Sequence, residues 1–243
     1  NDYAATTLTA RGVTLAGVNV VNNTDGLDGV KILSKGIIMI NSLTASGTLN
    51  GDGADLYNAY SGFVSGVSMT GVNNFSDNSH VGLNITSLGS VTVTSVTANN
   101  NDFEGVLIDT DNLGSIGSVV VAGVNQLNNN GRDGLKVISL GTITINNVTA
   151  NGNGSVSGGG AMIHNSDASL AKNVIFAGTN TFNNNYSYGL VVETKGAITS
   201  ALALTANDTQ DTVSDDAAGI YLNNAFGSTA SKQPITLSGK VTA

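Results

Sequence analysis

The chain has 243 residues, a formal net charge of −8 and no cysteine. Its nine Lys and Arg residues are scattered, which argues against a nucleic-acid partner, because such a partner needs a basic patch. Without cysteine there is no disulfide, thiol nucleophile or cysteine-based zinc site. No apolar run reaches the roughly 18 residues that membrane insertion through a helix requires.

A strand-rich motif recurs along the chain. Its copies begin at Gly29, Gly82, Gly134 and Gly189. In the third copy we predict three short strands, over residues 135–138, 142–145 and 148–150, because apolar residues alternate there between glycine and asparagine corners. The copies are spaced by roughly 53 residues, which indicates a single solenoid domain. The predicted modules are 1–28 (partial), 29–81, 82–133, 134–188 and 189–243.

A second, more variable coil follows each copy of the motif. It closes with a short apolar strand, a glycine and an asparagine-rich corner, as in residues 119–130. Glycine and asparagine suit corners that need a positive φ. Each module therefore contains two coils, and the chain about nine. We predict that the variable segments decorate one side and carry any recognition; they are residues 47–66, 109–117, 152–172 and 208–219.

Coils of roughly 20 to 30 residues with three short strands predict an all-β, right-handed parallel β-helix. Each strand pairs with the same strand of the next coil, about 4.8 Å further along. Apolar residues stack inside, and asparagines at equivalent corners form an amide ladder. The Gly–apolar–x–apolar, Ile/Val–Thr–Ile/Val and Val–Thr–Ala–Asn strands resemble the right-handed parallel β-helix superfamily (pectate-lyase-like fold), and closely resemble the tandem β-strand repeats and adhesin stalks of bacterial surfaces.

The two ends of the sequence match an internal junction. Val241, Thr242 and Ala243 repeat the Val–Thr–Ala segments inside the chain, each of which is followed by asparagine. The chain begins with Asn1, Asp2 and Tyr3. We therefore expect either one segment of a longer array or a subunit that stacks head to tail on copies of itself. The alternative is a boundary within a longer stalk.

Four residues are candidates for acid–base chemistry of the carbohydrate-active β-helix kind. They are Asp55, Asp109, Asp111 and His164, which fall in comparable regions of neighbouring modules. Two carboxylates and an imidazole can transfer protons to and from a glycosidic substrate. No arginine accompanies them, and a solvated loop face is the simpler interpretation.

Two further sites follow from residue type. Asp208, Asp211, Asp215 and Asp216 form the densest acidic cluster and are candidate calcium ligands, although their spacing matches no known calcium loop. Thr92, Thr94, Thr142 and Thr144 are candidates for a threonine ladder of the ice-binding kind. The matching strand is Ile–Met–Ile at residues 38–40 in the first copy and Ile–Thr–Ser at residues 198–200 in the fourth, so we expect the ladder to be broken.

The sequence thus predicts a non-catalytic structural or adhesive β-solenoid, extracellular or at the surface of a bacterial or archaeal cell. No cofactor is expected, apart from the calcium candidate. The expected partners are copies of the chain end to end and, as a further possibility, surface glycans. A polysaccharide lyase or glycosidase is the alternative function, and ice binding is a lesser one.

Overall fold

The computed structural model describes residues 10–112, 114–207, 218–226 and 233–243. Within these ranges the chain forms 26 β-strands and no helix. The strands are two to six residues long, because glycines and asparagines turn the chain after every few apolar residues. No described segment could therefore cross a membrane as a helix.

The strands lie in three parallel sheets, which we number in the order in which the chain first enters them. The first sheet contains β1 (Val13–Leu15), β4 (Ile38–Asn41), β7 (Val67–Thr70), β10 (Val91–Thr94), β13 (Val119–Ala122), β16 (Ile143–Asn146), β19 (Val174–Ala177), β22 (Ile198–Ser200) and β25 (Ile235–Leu237). The second sheet contains β2 (Asn19–Asn22), β5 (Leu43–Ser46), β8 (Asn73–Asn74), β11 (Val96–Thr97), β14 (Asn125–Gln126), β17 (Val148–Thr149), β20 (Asn180–Thr181), β23 (Leu204–Thr205) and β26 (Val241–Thr242). The third sheet contains β3 (Val30–Leu33), β6 (Ala54–Tyr57), β9 (Leu83–Thr86), β12 (Val106–Thr110), β15 (Leu135–Ser139), β18 (Ala161–His164), β21 (Tyr188–Glu193) and β24 (Ala218–Asn223).

Each strand pairs with the strand three places later in the chain, so successive coils stack in register. In the third sheet, for example, Val106 lies beside Leu135, and Leu135 lies beside Ala161. This arrangement confirms the predicted all-β parallel β-solenoid. The strands predicted for the third copy are also confirmed, with ends shifted by one residue at most.

The core is a set of apolar columns that run along the solenoid. Inward and outward residues alternate in every strand, as in β16, where Ile143 and Ile145 are fully buried. Phe75, Phe176 and Phe182 are the largest buried side chains. Burying one such side chain contributes about 1.5–3 kcal/mol, so the stacked columns are the main source of stability.

The prediction that the variable segments decorate one side is wrong in part. The segments 47–66 and 152–172 contain β6 and β18, which belong to the third sheet. The apolar residues of Ala161–His164 predict β18 as the opening strand of its coil, whereas β6 is not evident from the sequence, because its only inward residues are Ala54 and Leu56. The remaining loops lie at two corners rather than one, before and after the third sheet. Most of the segment 208–219 lies outside the described residues.

The predicted asparagine ladder is present where the chain passes from the second sheet to the third; we call this edge the Asn corner. The Oδ1 atom of each buried asparagine accepts hydrogen bonds from the backbone N–H and the Nδ2 atom of the asparagine one coil earlier, at 2.8–3.1 Å. The members of this inner ladder are Asn78, Asn101, Asn130, Asn153 and Asn185. All are at most 2% exposed, so the ladder pairs polar groups that water does not reach.

A second, outer ladder runs beside the inner one in the opposite sense. Here each Oδ1 atom accepts the backbone N–H of the next coil, at 2.7–2.9 Å. Its members are Asn99, Asn128, Asn151, Asn183 and Asn207. The residue between the two ladders has a positive φ, for example 57° at Asn129 and 66° at Gly152. Backbone conformation as well as hydrogen bonding therefore favours asparagine and glycine at this corner, and Asp77 takes the same conformation with a φ of 62°.

The last described coil continues the stack. Val241 and Thr242 pair with Leu204 and Thr205, and Ala243 follows them at the surface. The Val–Thr–Ala segment at the end of the sequence therefore occupies the position of the internal Val–Thr–Ala segments. Asn1, Asp2 and Tyr3 lie outside the described residues.

The expected break in the threonine ladder of the first sheet is confirmed. Thr92 lies beside Val120, which lies beside Thr144, which in turn lies beside Ile175. Thr142 precedes β16 and has no place in this column.

Candidate functional site

The structure brings together three of the four residues predicted for acid–base chemistry. Asp109, Asp111 and His164 lie on the outer face of the third sheet, near its corner with the first sheet, where the charges of Asp109 and His164 both act on Asp111. They are joined there by Ser166, Asp167 and Glu193. We call these six residues the carboxylate–histidine cluster.

The fourth candidate, Asp55, lies elsewhere. Its carboxylate accepts a hydrogen bond from Lys31, which also bonds to Asp28 at 3.0 Å. The hydrogen bond that Lys31 donates to Asp55, and then the one that it donates to Asp28, raise the pKa of Lys31 above its usual value. Asp55 is thus part of a surface ion pair. It shares the outer face of the third sheet with His164, as predicted, but it lies in a different outward column and four coils away, so the two do not form one site.

The register of the strands in the third sheet determines which residues of the carboxylate–histidine cluster are neighbours. Asp109 lies beside Ile138, Ile138 beside His164, and His164 beside Glu193, each on the next coil. Because coils are about 4.8 Å apart, the side chains of His164 and Glu193 are direct neighbours, whereas Asp109 is two coils away. The turn after β18 then brings Ser166 and Asp167 back toward the imidazole.

The imidazole of His164 is hydrogen-bonded at both nitrogen atoms. Nδ1 lies 3.0 Å from Glu193 Oε2, and Nε2 lies 2.9 Å from Asp167 Oδ2. Desolvation lowers the pKa of His164, but the bonds to Asp167 and Glu193 outweigh it, so the net pKa is raised. Two carboxylate partners therefore favour the imidazolium form.

Asp109 and Asp111 form a carboxylate pair beside the imidazole. The backbone N–H of Asp111 donates to Asp109 Oδ1 at 3.0 Å. Burial and the hydrogen bond and charge of Asp109 raise the pKa of Asp111 to about 6, and the charge of Asp167 adds to the effect. A carboxyl group with such a pKa can hold or release a proton near neutral pH.

The cluster also contains the elements of a nucleophilic triad. The Oγ atom of Ser166 lies 3.0 Å from His164 Nε2, and Glu193 bonds the opposite ring nitrogen. Serine, histidine and carboxylate in this order can in principle activate the hydroxyl for acyl transfer. However, Ser166 is only 4% exposed, and Asp167 occupies the same nitrogen atom that a general base would use. The geometry therefore favours a protonated His164 that is hydrogen-bonded to two carboxylates, and it disfavours a neutral His164 that accepts the proton of Ser166.

No metal site accompanies the cluster. Among the described residues, no group of three or more His, Asp or Glu side chains is arranged to hold a metal ion. The calcium candidates Asp208, Asp211, Asp215 and Asp216 lie outside those residues, so that hypothesis stays a prediction.

Sequence reasoning missed Asp167, Glu193 and Ser166. Ser166 and Asp167 follow His164 closely, so a turn after the strand was the available signal. Glu193 was recognisable only from register: it follows Gly189 by as many residues as His164 follows Gly160, and both glycines open strands of the third sheet.

Comparison with known proteins adds no relative. No protein-family model matches the chain, and no curated protein or solved structure matches it significantly. The class that the fold itself defines is a parallel β-solenoid with polar ladders at its corners, and its function is inferred from its own geometry.

Proposed function

We propose that the chain is a non-catalytic structural and adhesive β-solenoid that works outside the cell, as a stiff rod built from stacked coils. The coils stack on further coils end to end, either within a longer array or between copies of the chain. A polar surface free of cysteine fits an extracellular location.

The observation that carries this proposal is the in-register stacking of coils along the described chain. Each strand of the three sheets pairs in parallel with the strand three places later, and core residues such as Ile198 and Leu204 are fully buried between neighbouring coils. A coil built in this way offers the same backbone groups and the same apolar column to any coil that stacks on it.

The uninterrupted ladders support a mechanical role. The inner ladder links five coils in succession through buried amides. Each coil contacts its neighbours through three sheets, so bending the rod would break hydrogen bonds on one side. Nine strands at about 4.8 Å give a rod about 40 Å long.

Electron microscopy of the full chain at high concentration tests the proposal. We expect rods of constant width that are longer than one chain. Val241→Lys, which places a charge in the apolar column of the last described strand, should shorten them. Val124→Lys is the matched control, because Val124 is 65% exposed at a corner of a middle coil, away from both ends of the stack. Particles that stay single in the wild type at every concentration would contradict stacking between copies.

A polysaccharide lyase or glycosidase is the second candidate function, and the carboxylate–histidine cluster is the observation that favours it. Asp111, with a pKa of about 6, has the property required of a general acid. The test is release of reducing or unsaturated ends from a panel of polysaccharides. Turnover by the wild type that Asp111→Asn and Glu193→Gln abolish would establish the enzyme and overturn the non-catalytic proposal.

A further inference from the structure

The outer face of the second sheet carries a column of threonines. Thr149, Thr181, Thr205 and Thr242 occupy successive coils in direct register. Thr44 and Thr97 continue the column, alternating with Asn74 and Gln126. All six threonines are half-buried, and none of their hydroxyl groups has a hydrogen-bond partner in the described part of the chain. The face is thus a regular row of free hydroxyl groups.

The outer ladder runs two residues further along each coil and adds amide donors to this row. The Oδ1 atoms of Asn128 and Asn151 accept backbone N–H groups of the following coil, at 2.9 Å and 2.7 Å. Their Nδ2 groups have no acceptor among the described residues. Because the oxygens are held by backbone, the free N–H groups are fixed in position rather than mobile.

The Asn corner is notched at two of its described coils, at Gly47 and at Gly152, and the groove lies at the second. At Gly152 the positive-φ column lacks a side chain, while Asn129 and Asn184 fill the same position one coil before and one coil after. The notch opens a groove of about 500 Å³. Thr149, Asn128 and Asn151 line it, together with the ring of Tyr186.

Tyr186 provides the aromatic surface of the groove. Its side chain is 44% exposed, and its hydroxyl has no partner among the described residues. The lining contains no charged residue. A flat ring beside fixed amide and hydroxyl groups matches a ligand that presents both C–H faces and hydroxyl groups, which is the chemistry of a sugar ring.

From this geometry we propose that the groove at Gly152 binds a neutral glycan chain, which stacks one sugar on Tyr186 and hydrogen-bonds along the amide and threonine rows. The inference rests on the adhesive part of the proposed function and names its ligand class. An anionic glycan is disfavoured, because the groove offers no cation and the chain carries a net charge of −8. The rows extend over several coils, so a polymer gains more contacts than a single sugar.

Affinity electrophoresis in gels that contain neutral glucans, mannans or galactans tests the proposal, with acidic polysaccharides in parallel gels. We expect at least one neutral polymer to retard the wild-type chain. Tyr186→Ser should weaken retardation about tenfold or more, as loss of a central aromatic contact does elsewhere. Tyr221→Ser is the matched control, because Tyr221 is also 44% exposed but lies on the third sheet.

Gly152→Asn is the decisive variant, since it fills the notch with a residue that the same column already accepts. Asn129 and Asn184 hold φ values of 57° and 55° there. The added Cβ would lie 2.6 Å from the Oδ1 atom of Asn129, an exposed side-chain end that can move aside. We expect loss of glycan retardation with an unchanged unfolding midpoint.

Three outcomes would overturn the proposal: no retardation by any neutral polymer, retardation by acidic polymers alone, or binding that Gly152→Asn leaves intact. The rods seen by electron microscopy are a separate readout. Rods without glycan binding would refute the glycan site and leave the structural role standing, whereas glycan binding without rods would leave the glycan site standing and contradict stacking between copies.

Discussion

Tyr188 donates a hydrogen bond of 2.6 Å from its hydroxyl to Oδ1 of Asp133, across an entire intervening coil. The coil between them passes at Gly158 and Gly159, where a Cβ would lie 2.6 Å from Asp133 and 2.1 Å from the Tyr188 backbone oxygen. The absence of side chains there lets the two residues meet. Burial raises the pKa of Asp133, while the Tyr188 and Gly159 hydrogen bonds oppose that rise. The pair therefore fastens three coils at once.

Tyr188→Phe should destabilise the fold by about 1–3 kcal/mol, because it removes one of the hydrogen bonds of a buried carboxylate. Urea denaturation followed by far-UV circular dichroism measures the change. Tyr186→Phe is the control, since that hydroxyl has no partner among the described residues. Equal midpoints for the two variants would show that the Asp133 bond contributes nothing.

The inner ladder should be sensitive to a break at its centre. Asn130→Ala removes the acceptor of both the backbone N–H and the Nδ2 group of Asn101, at 3.0 and 2.9 Å. Each of the two buried groups left unpaired costs about 1–3 kcal/mol, so the free energy of unfolding from denaturant titration should fall by about 2–6 kcal/mol. Gln126→Ala, an exposed amide on the same coil, should be nearly neutral. A small effect of Asn130→Ala would mean that water replaces the lost partner.

The glycine that precedes each strand of the third sheet should resist even one methyl group. In Gly105→Ala the new Cβ would lie 2.7 Å from both the Gly134 oxygen and Asn130 Nδ2. Overpacking of this kind costs about 1–3 kcal/mol. Gly26→Ala is the control, because nothing lies within 4 Å of that Cβ position. Thermal unfolding of the two variants compares them, and a Gly105→Ala chain as stable as the wild type would contradict the close stacking.

His164 should make stability depend on pH. Its folded pKa is raised by Asp167 and Glu193 despite desolvation, so its contribution is complete below pH about 6.5 and is lost as pH rises through the folded value. The wild type should therefore exceed His164→Gln in stability most clearly at low pH. Denaturation between pH 5 and 9 measures this difference. Because the chain has two histidines, NMR titration of His80→Gln isolates the His164 signal, and a pKa below 6.5 would refute the charged-histidine arrangement.

The repeat can be predicted from the sequence, whereas the side-chain contacts between coils cannot. Alternation in residues such as Ile143 and Ile145 predicts strands, and asparagines at equal spacing predict a ladder. Contacts such as His164 with Glu193 depend on how each loop length sets the register of the next coil. The Tyr188–Asp133 hydrogen bond depends on the absence of side chains at Gly158 and Gly159 in the coil between the two residues, and nothing in the sequence links these positions. The glycan groove likewise arises from an absent side chain, at Gly152, between Asn129 and Asn184 of the same column.

Stacking of one copy on another is tested most directly by cysteines placed across the proposed junction, because the native chain has none. Val20 and Thr242 lie in the outward column of the second sheet, in its first and last strands. Within one chain they are about 40 Å apart, but a second copy stacked in register would bring them to neighbouring strands.

A short thiol-to-thiol crosslinker applied to Val20→Cys/Thr242→Cys should give a ladder of covalent multimers. Thr242→Cys alone should give dimers at most. Ile116→Cys/Thr242→Cys is the matched control, because Ile116 is 77% exposed at a corner away from the junction, and it should form no such ladder. A Val20→Cys/Thr242→Cys chain that remains monomeric at high concentration would contradict end-to-end stacking between copies.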